Sequence, residues 1–516
     1  MIIEKIKSEL GQNFASGLVV FLVALPLCLG IALASGAPPL SGVISGIIGG
    51  IIVGILSNSN VSVTGPAAGL SAIVLTAITQ LGAFEIFLCA GIIAGGIQLI
   101  LGFIKAGGIA NYFPTSVIEG MLAGIGIIII IQQIPVALGA ENIKSIFING
   151  TDVLHIGTLF ITLISLALLL LWEKSAMLRK IKLLPGALVA VCIGIIINEI
   201  FIMNGSSWAI SNNNLVQLPV LSSLGSISDL VTLPNFAAFA NPQVWTTGLI
   251  IAIVASIETL LCIEAADRLD VYKRSTNNNR ELKAQGIGNI LSSFIGGLPM
   301  TSVVVRSSAN ANAGAKSKTS TIIHGILLML CVISIPVLLN KIPLATLSAI
   351  LLLIGYKLAK PITFVHFWHK GIYQFLSFSI TVATVVIFDL LTGVMLGMAF
   401  SIIILLIGNI KKGIEISKES RTSKYYTITL AEEVSFLNKA SIKNKLLQLP
   451  EEAIVWIDAK KSVYIHSDIL EVIEDFINNQ AKEKNITIKL TGFNDSMHFN
   501  QENSSEPISI SHRRAI

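Results

Sequence analysis

The feature that most constrains this chain is a series of apolar blocks of helix-spanning length that recur as far as about residue 410. They run near 14–35, 39–57, 62–79, 84–104, 117–138, 156–172 and 184–202, then near 244–263, 286–297, 301–313, 319–339, 343–357, 373–389 and 391–410. A run of about 20 apolar residues crosses the hydrocarbon core of a bilayer as a helix. Inside that core the backbone must satisfy its own hydrogen bonds, which leaves helices or closed barrels. Only 13% of residues are charged and mean hydropathy is +0.79, whereas a soluble domain carries roughly 25% charge. The fold class expected is therefore a polytopic α-helical membrane protein with the lipid bilayer as its surroundings.

The same numbers exclude other classes. A formal net charge of +5 is modest, and the basic residues sit beside apolar blocks rather than in one patch, so no nucleic-acid partner is expected. Cys28, Cys89, Cys192, Cys262 and Cys331 all fall in apolar segments without zinc-site spacing and read as small core residues. The polar N-terminus, residues 1–13, enters the first block without a small-residue cleavage site, so the first helix is expected to stay in place.

The blocks number about fourteen, seven and seven, and several are short and broken by glycine or proline. Broken segments at matching places in two halves point to inverted repeats with a binding site between them. The third block opens on Thr64-Gly65-Pro66 and the tenth on Gly297-Leu298-Pro299. Orientation follows the lysines and arginines of the loops. With Lys5 and Lys7 inside, the inner loops carry Lys174, Arg179, Lys180 and Lys182, then Arg268, Lys273, Arg274, Arg280 and Lys283, then Lys357, Lys360 and Lys370. The stretch from about Met203 to Val244 carries neither lysine nor arginine, and Lys144 and Lys341 are exceptions outside. Both termini are expected in the cytoplasm.

From about Ser423 the composition becomes that of a soluble domain. Tyr425 to Leu430 alternates as a strand, Ala440 to Leu449 reads as a helix, and Ala453 to Asp458 reads as a buried strand. Ser467 to Gln480 reads as an amphipathic helix and Ile486 to Leu490 as a further strand. The expected organisation is a cytoplasmic N-terminus at 1–13, a transport domain at 14–410 and a linker at 411–422. A small α/β module follows at 423–494, then a disordered tail at 495–516.

Two half-helices that begin inside the membrane would aim their first N–H groups at one point. Each N-terminus carries roughly half a positive charge, so the pair makes an anion site from backbone. The candidate turns are Thr64-Gly65-Pro66-Ala67-Ala68-Gly69, where small residues let backbone approach a ligand, and Pro299-Met300-Thr301-Ser302-Val303-Val304. Taken singly, each also reads as an ordinary Gly/Pro kink. Arg306 lies just beyond the second turn in an apolar run, where a charge marks an ion pathway unless it snorkels to the interface. Glu258, in Ala255-Ser256-Ile257-Glu258-Thr259-Leu260-Leu261-Cys262, is a second intramembrane charge. It can hold a proton, ionise beside a cation or bind sodium, the alternative being a structural ion pair with Arg306. His366 and His369, three apart beside Phe367, Trp368 and Lys370, read as interfacial anchors in a loop rather than metal ligands. No metal site, catalytic triad or phosphate loop is present in the sequence, and no enzyme is expected.

At these positions the chain resembles the sulfate permease family (SulP) of inorganic anion transporters. The resemblance runs through Gly17-Leu18-Val19, Leu25-Pro26-Leu27 and Ala32-Leu33-Ala34-Ser35-Gly36 to Ser62-Val63-Thr64-Gly65-Pro66. It continues in Glu281-Leu282-Lys283-Ala284-Gln285-Gly286-Ile287-Gly288-Asn289-Ile290 and Gly296-Gly297-Leu298-Pro299, and covers most of the chain. It implies seven plus seven inverted segments in a core and a gate domain, a homodimer in the bacterial inner membrane, and alternating access around an anion held between segments three and ten. The soluble module is similar to the family's STAS domain. Carried over by position, the resemblance implies an anion site of Thr64, Gly65, Pro66, Ala67 and Ala68 with Ser302, Val303, Val304 and Arg306. It implies a cation-coupling site at Glu258, Thr259, Cys262 and Ser302, with sodium or protons as coupling ion and no other cofactor.

This chain departs from the family in two places. The sodium-coupled bicarbonate carriers are built around an aspartate with hydroxyls nearby. Here the acid is glutamate, Cys262 stands where a threonine would help, and Val304 replaces another hydroxyl. Sodium prefers oxygen ligands, so coupling to protons through Glu258 is the preferred expectation, with Thr259, Thr301 and Ser302 as the hydroxyls that remain. In the module, His466-Ser467-Asp468-Ile469 replaces the family's Asp-Ser-Ser-Gly-like turn, which favours packing, dimerising or trafficking over a phosphoserine switch at Ser467. Sulfate and bicarbonate are the cargo expected, a nucleobase carrier of similar architecture and a membrane-anchored signalling protein with STAS output being the alternatives.

Overall fold

The computed structural model describes residues 2–140, 154–175, 177–178, 185–219, 231–388, 390–411, 413–418 and 424–493. The tail after Asn494 and the basic residues Lys144, Arg179, Lys180 and Lys182 lie outside the described residues. The chain divides into two compact units, 1–398 and 399–516.

In the first unit the first seven apolar blocks become α1 (Ile2–Ala34), α2 (Pro39–Ile48), β1 (Thr64–Pro66) leading into α3 (Ala68–Leu81), α4 (Phe84–Phe103), α5 (Thr115–Leu138), α6 (Ile156–Lys174) and α7 (Gly186–Met203). The second set becomes α8 (Pro242–Leu269), α9 (Asn278–Phe294), β2 (Met300–Ser302) leading into α10 (Val304–Asn312), α11 (Thr319–Ser334), α12 (Leu344–Leu358), α14 (Ile372–Ile387) and α15 (Leu390–Lys411), with α13 (Pro361–Lys370) between the fifth and sixth; α15 continues past Met398, where the first unit ends. Among the described residues, eight helices are long and apolar enough to cross a membrane. Several starts differ from the sequence expectation. The segment placed at 286–297 begins at Asn278, because Asn277 caps it by accepting a hydrogen bond from the Arg280 N–H. His366 and His369 lie on α13 rather than in a loop, since Pro361 at the first turn starts a helix there.

Helix contacts repeat in the way two inverted halves require. Segment pairs 1–11 and 8–4 pack together, as do 2–11 and 9–4, 1–10 and 8–3, and 5–13 (α14) and 12–6, while segments 5 and 12 pack on each other. Two of the close crossings use glycine on both sides. An added Cβ on Gly95 or Gly286 would meet the other's carbonyl oxygen at 2.6 and 2.7 Å, and Gly126 and Gly355 do the same at 2.5 and 2.8 Å. Small residues at crossings are how helices approach closely where lipid supplies no hydrophobic drive. After α8, Arg274 donates two hydrogen bonds to Asp270 (2.7 and 3.0 Å) and one to the Lys316 carbonyl (2.9 Å), fastening that loop to the chain after α10. Those bonds hold the Asp270 carboxyl below the ordinary carboxylate range.

In the second unit a four-stranded sheet runs β3 (Ile414–Lys418), β4 (Tyr425–Leu430), β6 (Ile454–Asp458), β8 (Thr487–Thr491). β3 is antiparallel to β4 and the rest are parallel. β5 (Glu433–Val434) pairs with β7 (Tyr464–Ile465), and α16 (Lys439–Leu447) and α17 (Ser467–Asp475) cover the core of Ile428, Val455, Ile457, Ile469, Ile473 and Phe476. β3 falls in the stretch assigned to a linker: Ile414 is buried and the strand pairs along its length with β4, so the sheet begins earlier than the composition change. The helix expected over 467–480 is α-helical to Asp475 and widens to a π-helical turn at Phe476–Gln480.

Candidate functional site

The two broken segments meet. β1 and β2 pair antiparallel, with Thr64 opposite Ser302, Gly65 opposite Thr301 and Pro66 opposite Met300. Each strand turns directly into a helix. Ala67 and Val303 occupy the N-cap positions in extended conformations (φ −107° and −120°), and neither supplies a side-chain cap. The first N–H groups of α3 and α10 are therefore left without the partner that serine or aspartate gives elsewhere. Hydroxyls and backbone lock the pair together. The Val303 N–H donates to the Val63 carbonyl at 3.0 Å, the Val63 N–H to Ser307 Oγ at 3.0 Å, and the Ser62 and Ser302 hydroxyls lie 2.5 Å apart.

Arg306 sits on the first turn of α10 with none of its surface exposed. Its Nη2 donates a long 3.4 Å bond to the Pro66 carbonyl, while Nε and Nη1 have no partner. A Cβ on Gly65 would collide with the guanidinium, so the absence of a side chain there is what lets the arginine reach β1. A buried guanidinium with unmet donors is costly and is ready for an acceptor that arrives from outside. The Cys28 thiol of α1 lies beside it.

Glu258 stands on α8 across the site. Its carboxylate rests against Gly69 in the first turn of α3, where an added Cβ would be 2.8 Å from Oε1, and its Oε2 is buried without a partner. Among the described residues no ion pair joins Glu258 to Arg306, so the structural-pair alternative has no support. Thr259 is fully buried and its Oγ1 accepts a 3.4 Å bond from the Ser302 N–H. The Cys262 thiol, one turn on, lies beside the Val304 backbone N–H. Thr301 Oγ1 donates to the Ser302 carbonyl at 3.1 Å.

The structure thus brings the expected residues into one place. Thr64, Gly65, Pro66 and Ala67 are buried in β1 and its exit and Ala68 is partly open. Ser302 is buried, Val303 half-buried and Val304 exposed, with Arg306 behind them and Glu258, Thr259 and Cys262 on α8. The helix at the second turn starts at Val304 rather than near Pro299, because Met300–Ser302 is held as strand.

What the sequence reading missed is the support. On α9, Glu281, Gln285 and Asn289 recur every four residues, on one helix face. Gln285 Nε2 donates to Thr64 Oγ1 (2.8 Å) and to Glu281 Oε1 (3.0 Å), and Glu281 Oε2 accepts from Ser57 Oγ at 2.5 Å. Asn289 accepts from the Met300 N–H (2.7 Å) and donates to its carbonyl (3.2 Å) and to Gln98 Oε1 (2.6 Å). One helix face therefore grips both strands. The four-residue polar spacing was visible in the sequence, but the strands it holds were not. His324, fully buried on α11, was missed too.

Comparison with known proteins adds an independent line. A profile of the sulfate permease family matches residues 10–384. The putative sulfate transporter YvdB of Bacillus subtilis (strain 168) is 27% identical over 401 residues, covering 76% of this chain and 73% of that protein. The bicarbonate transporter BicA of Picosynechococcus sp. is 23% identical over 367 residues, covering 66% and 60%. Among solved structures, the transmembrane domain of a cyanobacterium bicarbonate transporter BicA matches with a TM-score of 0.64 at 24% identity, over 75% of this chain and 97% of that one. SLC26A9 matches with a TM-score of 0.73 at 16% identity, over 95% and 86%.

Proposed function

Since the chain belongs to the sulfate permease family, we propose that it moves a small inorganic anion, sulfate or bicarbonate, across the bacterial plasma membrane by alternating access, and couples that movement to protons. It is a transporter and not an enzyme. The observation that carries the reading is Arg306: a buried guanidinium with two unmet nitrogens beside two uncapped helix N-termini. Relatives named as sulfate and bicarbonate transporters support the cargo class.

The anion would lie between Thr64, Gly65, Pro66, Ala67 and Ala68 on one side and Ser302, Val303 and Val304 on the other, with Arg306 supplying charge. Glu258 is the coupling group. Its neighbours Cys262 and Val304 offer a thiol and a methyl-bearing side chain where sodium needs oxygens, which favours a proton on the carboxyl. Core and gate groups, a homodimer and a cytoplasmic placement of both termini complete the proposal, and the C-terminal α/β unit serves as a STAS-like domain. The positive loops Arg268 to Lys283 support that orientation.

The test is a panel of labelled anions in proteoliposomes with sodium and proton gradients varied separately. We expect sulfate or bicarbonate uptake that follows the proton gradient and ignores sodium at fixed pH. Steep sodium dependence with no response to the proton gradient would remove Glu258 from the proton role. Arg306→Ala should lower uptake by about 10–100-fold, the worth of a charge-assisted hydrogen bond, while the protein still elutes as a folded species. Uptake blocked by uracil would instead favour a nucleobase carrier. Anion flux that is absent, with function lost on deleting residues after 422, would favour a signalling protein.

A further inference from the structure

We propose that His324 is a proton-binding partner of the anion site, taking up one proton with each divalent oxyanion that binds at Arg306. This rests on the anion-site reading above and deepens it, because it names a divalent tetrahedral oxyanion as the cargo that the site fits.

The ring of His324 has no explanation in the packing around it. α11 reads Thr-Ser-Thr-Ile-Ile-His-Gly-Ile-Leu-Leu-Met-Leu-Cys-Val-Ile-Ser from Thr319, and His324 is its one ionisable imidazole, with none of its surface exposed. Neither Nδ1 nor Nε2 has a hydrogen-bond partner. A neutral imidazole always carries one donor and one acceptor, and burying both unmet is unfavourable. Packing alone is served better by leucine or phenylalanine. Buried polar atoms without partners call for a separate explanation.

Its surroundings supply one. α11 packs on α1, on α2, and on the π-helical turn Gly49–Val53 with the helical turn Gly54–Leu56 that follows it. α2 and both turns contain no titratable side chain, and α1 offers the Cys28 thiol among its described side chains. The charge that reaches the ring is Arg306 of α10. The backbones of α11 and of the anion turn lie close together. Two consecutive glycines of the π-helical turn separate α11 from β1: a Cβ on Gly49 would lie 2.5 Å from the Thr64 carbonyl oxygen, and one on Gly50 would lie 2.7 Å from the Gly325 Cα. So the residue after His324 and the first residue of the anion turn rest on opposite sides of one Gly-Gly step. π-helical turns of this kind recur at functional sites.

Charge balance then gives the ring its role. With the site empty, an imidazolium beside the Arg306 guanidinium would set two cations together in the interior, so the ring is neutral. A monovalent anion at Arg306 cancels the guanidinium and leaves nothing for a second proton to answer. A divalent anion leaves one uncompensated negative charge, and a proton from solvent on the ring's free lone pair cancels it. Linkage makes the effect reciprocal: the proton raises affinity for the divalent anion by the same factor that the anion raises affinity for the proton. Glu258, on the far side of the site, is a separate proton carrier.

The test counts protons. Sulfate and nitrate are titrated into the full-length protein in nanodiscs by calorimetry, in buffers of different ionisation enthalpy, between pH 6 and pH 8. The wild-type protein should take up one more proton per sulfate than His324→Gln, and its sulfate affinity should rise about tenfold more than that variant's for each pH unit from pH 8 to pH 6, the slope of one fully linked proton. The share of both effects that belongs to His324 should be missing in His324→Gln and for nitrate, where only the pH dependence linked to Glu258 stays. His324→Leu, which matches the apolar run around it, carries the comparison if the glutamine variant does not assemble. Equal proton uptake in wild type and both His324 variants overturns the proposal, as does equal pH dependence for nitrate, or sulfate that does not bind. If Arg306→Ala binds sulfate as tightly as wild type, the anion-site reading itself has failed, whatever His324 does.

Discussion

Arg306 and Gly65 act as one unit at the residue scale. The guanidinium occupies the space that any other residue at 65 would fill, and with none of its surface exposed it has nowhere to retreat. Gly65→Ala should therefore push Arg306 off the Pro66 carbonyl and cost about 1–3 kcal/mol of stability by overpacking. The anion KM should rise about tenfold, the equivalent of one weakened hydrogen bond. Uptake kinetics and a thermal shift in the same detergent check both numbers; an unchanged KM would show that the arginine has room to move. The two intramembrane charges were legible in the sequence because a charge in an apolar run is conspicuous whatever it faces. His324 was not. A lone histidine reads equally well as a satisfied core residue, and only the three-dimensional finding that both nitrogens lack partners separates the two cases.

At the scale of elements, the broken segments show how far pattern reading reaches. The Thr64-Gly65-Pro66 and Gly297-Leu298-Pro299 turns marked where uniform apolarity stops, and that located the crossing. Pattern could not foresee that residues 300–302 would pair with 64–66 as a β-ribbon, since three residues carry no period. A second limit hid the first two turns of α9, placed at 286–297 from apolarity: its buried face is polar (Glu281, Gln285, Asn289, Ser292 and Ser293), so its start at Asn278 looks unlike a membrane segment. That face is what fixes the ribbon. Removing the Asn289 side chain leaves the Met300 N–H and Gln98 Oε1 buried without partners, at about 1–3 kcal/mol each. Asn289→Ala should lower the melting temperature. It should also weaken anion binding by more than a surface change of equal stability cost, because β2 would no longer be held against β1. Asn289→Asp keeps an acceptor for the Met300 N–H but turns carboxylate oxygen towards the Met300 carbonyl and Gln98 Oε1, so it should be at least as damaging as alanine in both measurements.

At the scale of the whole molecule, the two units are held by different physics. The first buries small residues and hydroxyls at helix crossings, in a setting where lipid supplies no net hydrophobic drive between helices. The second has an ordinary water-driven core of Ile428, Val455, Ile457, Ile469, Ile473 and Phe476 under a four-stranded sheet. The composition change near Ser423 located this second unit but missed its first strand, because Ile414–Lys418 alternates in the same way as a charged linker with scattered apolar residues. β3 pairs with β4 over all five of its positions, so a fragment that begins at 424 would expose the β4 edge and lose part of its core at Ile414. A fragment of residues 413–493 should be soluble and unfold cooperatively, with about 4–8 kcal/mol of stability for a domain of this size, whereas one of residues 424–493 should lose a large share of that and tend to associate through the bare strand. Urea titration followed by circular dichroism, with light scattering on the same samples, distinguishes these outcomes. Equal stability of the two fragments would mean that β3 adds nothing and that the boundary drawn from composition was the physical one.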